Sequence, residues 1–342
     1  MSLRKFLQLL VAFLPFGKQM AYRRLFGAKI ADRVQIGFGA LLIFDELELR
    51  AGARIAPFTY VHARKVLLGA RATVGRFTQI SVHSIAIGVS STIGPQVSIK
   101  GDPNNPQSRF TTGAECWVFE YCYINVERPV TLGRNVGVGG GTYIFTHGYW
   151  LSLLHGYPVA YGDVTIGNDV WLPWGCFILP GVEIGDGAVV GARSVVNRSI
   201  PAFALAAGSP AKVIKDRANV EVTIEQRVDI LLTTTIDFCD RRASSLGIEK
   251  SEDWIILRIG GVPQVAVARK LGVDHSHETV KGLLRVVHEP LKTIGDSQGP
   301  LYSTASFQCT PLNTLNNVQS AWLGHLRTIG TRHYPVDEVP IE

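Results

Sequence analysis

The chain is poor in the residues that build disulfide frameworks and metal clusters. It has five cysteines and two methionines among 342 residues. Cys116, Cys122, Cys176, Cys239 and Cys309 are odd in number and form no Cys-x-x-Cys pair. That spacing argues against a disulfide scaffold and a thiolate zinc site, and a metal is not expected. Charge is also sparse, at 18% of residues against 46% hydrophobic, which excludes a disordered chain. The net charge of +6 comes without a basic run, zinc-finger spacing or aromatic-basic interleaving, so no nucleic-acid partner is expected. A mild basic excess suits an anionic ligand such as a nucleotide phosphate, or an anionic membrane surface. The apolar stretch from Phe6 to Phe16 is too short to span a bilayer. No small-residue cleavage site follows it, and the chain turns basic at Lys18, Arg23 and Arg24, unlike a secretory signal. Residues 2–27 read instead as one or two amphipathic helices. These either pack on the rest of the chain or a neighbouring subunit, or lie on the inner membrane with Lys and Arg facing headgroups. The expected location is the cytoplasm, peripheral at the inner membrane on the second reading.

Glycine is abundant, at 35 residues, and it falls into a pattern. Sixteen six-residue units begin with an aliphatic residue at 30, 36, 49, 55, 68, 74, 87, 93, 118, 132, 138, 166, 172, 178, 184 and 190. In all sixteen the fifth residue is Val, Ala, Ser, Thr or Cys, and in ten the second is Gly. An amphipathic strand alternates with period two and cannot hold period six. A triangular prism can: each hexad supplies a short strand and a corner, and three hexads make a coil. The aliphatic residue points inward and the small one fits near the corner, where Gly or Asn-Asp tolerates the turn. No coil buries its core alone, so stability comes from stacking. Residues 100–115 and 147–163 break the period and are expected to leave the coil as loops, where function concentrates.

The expected architecture is an all-β solenoid over 30–215, an N-terminal helical segment over 1–29 and a small C-terminal α/β appendage of unknown role over 216–342. In the appendage, Thr223 with Gln226 predicts a capped helix to about Ala243. The stretches 254–259 and 264–269 predict a β-hairpin, and a second helix is expected from Glu278 to about Leu291. The DHSHE run from Asp274 to Glu278 is read as a polar loop, not a metal site.

The stretches TYIFTHGYW (142–150), VTIGNDVWLPWGCFILPGVEIGDGAVVGARSVV (164–196) and AAGSPAKVIK (206–215) resemble the hexapeptide-repeat O-acetyltransferases. That group includes galactoside, maltose, nodulation-factor and polysaccharide acetyltransferases. The resemblance covers residues 118–215 and implies a left-handed parallel β-helix, a homotrimer, and acetyl-CoA lying between neighbouring prisms as acyl donor. It implies transfer of an acetyl group to a sugar hydroxyl, in surface polysaccharide or glycoconjugate synthesis. It implies that His147 is the general base: a hydroxyl is a poor nucleophile until a neutral imidazole within reach removes its proton. Asn125 and Glu120 stand where the family lines its acceptor pocket with Asp and Asn, and His155, Tyr149 and Trp150 lie in the loop as further acceptor contacts. Trp171 matches the family Trp beside the pantetheine arm, with Trp174 close to it. Ala192, Ala207 and Gly208 should let the pantetheine approach the backbone, and Arg198, Lys212 and Lys215 match basic positions near the adenosine 3′-phosphate. Pro173-Trp174 and Arg193 depart from the family pattern by adding bulk beside the thioester channel.

Other readings differ in what the residues must do. An N-acyltransferase on an amino sugar, or an antibiotic acetyltransferase, would use the same donor groove. A non-catalytic β-helix scaffold would keep the hexads and lose the base. A γ-class carbonic anhydrase needs three zinc-binding histidines, and His147 and His155 have no third partner nearby in sequence.

Overall fold

The computed structural model describes residues 3–270, 284–287, 301–303, 308–309, 317–328 and 334–335. The chain divides into two compact units, one over residues 1–219 and one beginning at Val220.

The first unit is a parallel β-solenoid, consistent with a left-handed β-helix, with three flat faces. The first face stacks eight strands from Lys29–Ile30 to Glu183–Ile184, and the third stacks eight from Leu41–Ile43 to Val195–Val196. The second face has ten, from Gln35–Ile36 through Leu205–Gly208 and ending in the antiparallel Ala211–Lys215. The hexads explain the stacking. Fifteen of the sixteen aliphatic lead residues are buried, Ile36 being half-buried, and all sixteen small fifth residues are buried.

Two features differ from the expected hexads. In the early coils Leu49 pairs with Leu68 and Leu68 with Ile87, a step of 19 residues, whereas Ile166 to Ile184 and Ile178 to Val196 step by 18. The extra residue lies between the third and first faces, so the units that begin on the third face keep the six-residue spacing but carry Glu46, Lys65, Pro103 or Arg128 where the others have a small fifth residue. Leu42, Val61, Ile80, Ile99, Ile124 and Ile144 form its inner column, all within 2% exposure. The excursion expected over 100–115 is also shorter. Arg109–Thr112 is a first-face strand, paired with Ser84–Ile87 and Val130–Leu132, so only residues 101–108 leave the coil.

Two helices, α1 (Leu3–Ala12) and α2 (Lys18–Phe26), precede the first strand. α2 lies between Gly17 and Gly27, both left-handed. It turns Tyr22 and Phe26 onto Phe44, with ring centroids 5.7 and 6.2 Å away, and so closes the apolar end of the prism.

The second unit packs helices on a sheet. α3 (Ile224–Arg241) starts with the expected capping box, in which Gln226 N donates to Thr223 Oγ1 and Thr223 N to Gln226 Oε1. Trp254–Ile259 and Val262–Ala268 form the expected hairpin. A helix over 278–291 is not what forms where the chain is described. Leu284–Val287 is a strand parallel to Val262–Ala268, and its β-branched pair Val286-Val287 favours that state. The rest of that stretch and the DHSHE run lie outside the described residues. α4 (Asn317–Thr328) buries Trp322, whose Nε1 donates to Thr235 Oγ1 at 2.9 Å.

Candidate active site

The third-face strand Tyr143–Ile144 delivers the chain to a corner, where Phe145 N still donates to Ile178 O of the next coil at 2.9 Å. The chain then leaves the coil. His147–Gly148 pairs antiparallel with Ala160–Tyr161, His147 opposite Tyr161, so the break at 147–163 is a hairpin arm. Its tip carries a short turn, Leu153–His155, capped by Ser152 Oγ accepting from Leu154 N.

One coil earlier, the strand Tyr123–Asn125 places Asn125 beneath the base of this arm. Asn125 is buried and Thr146 fully so. Thr146 Oγ1 lies 3.0 Å from Asn125 Oδ1 and 3.1 Å from Asn125 O, and it accepts from Arg128 N at 3.1 Å. Thr146 N donates to Asn125 Oδ1 at 3.4 Å, so a backbone donor fixes which way the amide faces. His147 Nδ1 is 2.7 Å from the same oxygen. An amide oxygen only accepts, so Nδ1 carries the proton, and in the neutral ring Nε2 keeps its lone pair. Asn125 was expected to line the acceptor pocket; the structure places it behind the His147 ring.

Around that ring, Tyr149 and Tyr161 have centroids 5.2 and 6.2 Å away, and the two tyrosines are 5.7 Å apart. The Tyr161 phenol is held above its ordinary pKa by its hydrogen bond to Tyr149, then by burial and by Glu127, while Arg128 opposes. The Arg128 guanidinium lies 5.5 Å from the Tyr161 ring centre. Arg128, Thr146 and Tyr161 were not singled out from the sequence. The signal that finds Tyr161 is the antiparallel pairing of the arm, which no period reveals.

The remaining expected residues are spread over the prism. Trp150 and His155 are exposed on the arm. Glu120 sits at the corner between the second and third faces, one face away from Asn125. Trp171 is on the second face, with Phe119 edge-on at 6.3 Å. Trp174 and Ala192 mark the corner after that face in successive coils, joined by Arg193 N donating to Trp174 O at 3.0 Å. Ala207-Gly208 follows on the next strand, where Gly208 N donates to Ser194 Oγ at 3.0 Å. Ala207 pairs with Lys212 and Leu205 with Lys215 on the terminal hairpin. The structure thus gathers Trp171, Trp174, Ala192, Ala207, Gly208, Lys212 and Lys215 along the second face and its following corner. It does not bring Arg198 there: Arg198 follows Val195–Val196 on the third face, at the same series of corners as His147.

Other candidate groups are engaged elsewhere. His83 Nδ1 is 3.1 Å from Pro103 O, and His62 Nε2 is 3.4 Å from Lys5 Nζ. Burial pushes the Cys116 thiol up to about 12 and the Cys122 thiol up to about 11, which keeps both protonated and non-nucleophilic near neutrality.

The model of the bacterial transferase hexapeptide family, six repeats, matches residues 163–198. A chloramphenicol acetyltransferase of Morganella morganii is 52% identical over 60 residues, covering 18% of this chain and 29% of that protein. A protein of Escherichia coli strain K12, whose provisional name is colanic acid biosynthesis acetyltransferase WcaF, is 34% identical over 113 residues, 33% of this chain and 62% of that one. Among solved structures, a hexapeptide-repeat acetyltransferase of Vibrio cholerae O1 biovar eltor in complex with acetyl coenzyme A is 25% identical, with a TM-score of 0.34 over 39% of this chain and 70% of that one. Through residues 163–198 the chain resembles the bacterial hexapeptide-repeat transferases. It spans less than two thirds of the length of these two curated relatives.

Proposed function

We propose that this protein is an O-acetyltransferase that moves an acetyl group from acetyl-CoA to a sugar hydroxyl in surface polysaccharide or glycoconjugate synthesis. The observation that carries the reading is the 2.7 Å contact between His147 Nδ1 and an Asn125 oxygen whose orientation Thr146 fixes. A base so held points one lone pair, on Nε2, away from the coil. The acceptor hydroxyl gives its proton to Nε2 as its oxygen bonds to the acyl carbon, and the ring returns that proton to the departing sulfur. Tyr149 and Tyr161 offer the aromatic and hydroxyl surface that a sugar ring uses, while Trp150 and His155 extend that surface along the arm.

The donor site is tested by its own shape. A Cβ on Gly191 would stand 2.5 Å from Ala207 Cβ, so the coil there has no room for side chains and leaves backbone at the surface. Such a strip suits the amide-bearing pantetheine arm of acetyl-CoA. Lys212 and Lys215, both exposed, supply cations for its 3′-phosphate, and Trp171 and Trp174 form apolar walls. This strip and His147 lie at different corners of one prism, with the third face between them. That face exposes a ladder of Tyr123, Tyr143 and Phe177, the last two stacked at 4.9 Å. Packing of copies about a threefold axis covers such a ladder and brings the donor strip of one prism to the base of the next. We therefore read the working form as a homotrimer, with Arg198 near the partner's groove.

A mass-spectrometric screen tests this: purified protein with acetyl-CoA against nucleotide-sugars, lipid-linked sugars, amino sugars and chloramphenicol, with light scattering on the same sample. A product heavier by one acetyl on a sugar oxygen, from a trimer, supports the reading. Acetylation of chloramphenicol alone replaces it with the antibiotic reading, and an inert monomer removes both. For the donor strip, changing Lys212 and Lys215 together to Ala should weaken CoA binding by about 1–3 kcal/mol, the range for charged hydrogen bonds. Calorimetry with dephospho-CoA should show a smaller loss; an equal loss for both ligands removes the 3′-phosphate assignment.

A further inference from the structure

α1 is amphipathic in the opposite sense from a helix that simply packs on a core. Its buried residues are Gln8, Val11 and Ala12. The fully covered Gln8 amide bonds to the Phe44 backbone in both directions, Nε2 donating to Phe44 O at 2.9 Å and Oε1 accepting from Phe44 N at 3.4 Å. Arg4 donates to Asp45 O at 2.9 Å, and Gly39 N to Ala12 O at 3.0 Å. The helix is therefore fastened to the first coil largely through polar contacts. Several of its large apolar side chains face away, Leu3 at 73% exposed, Phe6 at 46% and Leu10 at 52%, as does Phe13 at 56% just past its end. Phe16, in the turn before α2, is 87% exposed. A surface helix with a free choice puts those groups inward.

The apolar surface continues past the helix. Phe13 lies edge-on to Phe38 at 6.1 Å, Phe38 lies 6.1 Å from Phe58, and Phe58 stacks on Phe77 at 5.7 Å. These last three rings stand half-exposed on one corner of three successive coils. A contiguous patch of this kind marks an interaction surface.

Charge selects its occupant. The first acidic residue of the chain is Asp32, and before it stand Arg4, Lys5, Lys18, Arg23, Arg24 and Lys29. A helix face whose own segment carries cations and no acid complements an anionic bilayer, whose headgroups attract Lys and Arg while its acyl boundary takes Leu and Phe. A symmetric contact with a second copy would instead set this basic segment against its own like charges. No helix among the described residues is long and apolar enough to cross a membrane, and the ten residues of α1 extend only about 15 Å, so the fit is to a helix lying in the interface.

We propose that residues 3–16, together with the corner phenylalanines Phe38 and Phe58, form a docking surface for anionic lipid bilayers. The inference stands apart from the acyl-transfer reading and survives its failure. The test is co-sedimentation of the full chain with vesicles of phosphatidylcholine mixed equally with phosphatidylglycerol, and with phosphatidylcholine alone. The protein should pellet with the anionic vesicles and be released by salt. The triple variant Leu3→Ser, Leu10→Ser, Phe16→Ser removes apolar groups that touch water, so its thermal unfolding should match the parent while its partition to anionic vesicles falls at least about tenfold. Arg24→Glu with Lys29→Glu should lower partition to anionic vesicles and leave the weaker binding to neutral ones unchanged. A full chain that stays in the supernatant with both vesicles overturns the proposal. So does a triple variant that pellets like the parent. A triple variant whose oligomeric mass drops, from a parent that ignores vesicles, assigns the surface to a second copy instead.

Discussion

On the proposed mechanism His147→Ala should lower acyl transfer about 10²–10⁴-fold, equivalent to roughly 3–5 kcal/mol of barrier, while CoA affinity and oligomeric mass should stay near those of the parent. The size follows from what is removed. Without Nε2 the acceptor hydroxyl has no partner for its proton as it attacks, and Thr146 and Asn125 offer no substitute: one is buried, and the amide oxygen already receives bonds from Thr146 N and His147. The fold survives because His147 stands at the mouth of the arm, outside the column Ile124, Ile144 and Ile178 that holds this part of the prism together. Asn125→Ala separates holding from reacting. It leaves the imidazole in place but frees it to rotate and to carry its proton on either nitrogen, so kcat should fall by less than in His147→Ala, with little change in the KM for acetyl-CoA. His62→Ala and His83→Ala serve as controls and keep most activity. Steady-state kinetics on the acceptor from the screen decides the matter. If His147→Ala keeps more than about a tenth of the parent kcat, a loss too small for removal of a general base, the proton leaves by another route, and His155 on the same arm is the first to test.

The prism was legible because its two constraints are chemical: a large aliphatic lead residue and a small fifth residue, repeated. The third face was harder to read because its units, lengthened by one residue before the first face, put Glu46, Lys65, Pro103 or Arg128 where the others have a small fifth residue. The motif TYIFTHGYW singled out His147, but the residues that surround its ring were not legible. Asn125 lies 22 positions earlier and meets it only because Ile124 stacks on Ile144. Tyr161 meets it because the arm doubles back, a pairing set by the hairpin and not by the coil. The corner residues show the same limit from another side. Every fourth residue of the sixteen hexads has positive φ, six of them Gly and ten of them not, among them Phe58, Phe77, Tyr121 and Arg193. Composition hides that rule, because a side chain held in the left-handed region at a cost of roughly 1–2 kcal/mol is stabilised by stacking on the coil beside it, as Phe58 on Phe77 shows. The second-position glycines looked like turn residues and are something else. None from Gly37 to Gly191 that begins a corner this way has positive φ; they are small because the next coil is too close.

That distinction sets the largest expected loss of stability. Gly88→Val destabilises the solenoid by about 3 kcal/mol or more, at or beyond the upper end of ordinary overpacking. A Cβ at Gly88 would stand 2.0 Å from Gly113 O and 2.3 Å from Gly113 C, which are backbone atoms of the next coil and not the movable end of a side chain. Relief requires the two coils to part, and they are joined on either side of the corner by Ser84–Ile87 against Arg109–Thr112 and by Thr92–Ile93 against Trp117–Val118. Opening the corner therefore strains ladder hydrogen bonds on two faces and loosens the contact of Ile87 and Ile93 with their neighbours. Gly181 provides the contrast. It sits at a fourth position with φ of 78°, and a Cβ there meets nothing within 4 Å. Gly181→Ala should cost only the conformational term, about 1–2 kcal/mol. Chemical denaturation of the two variants beside the parent measures both. A Gly88→Val protein as stable as Gly181→Ala would mean that the coils can part at this corner without strain, and that the glycine column is set by turn conformation after all.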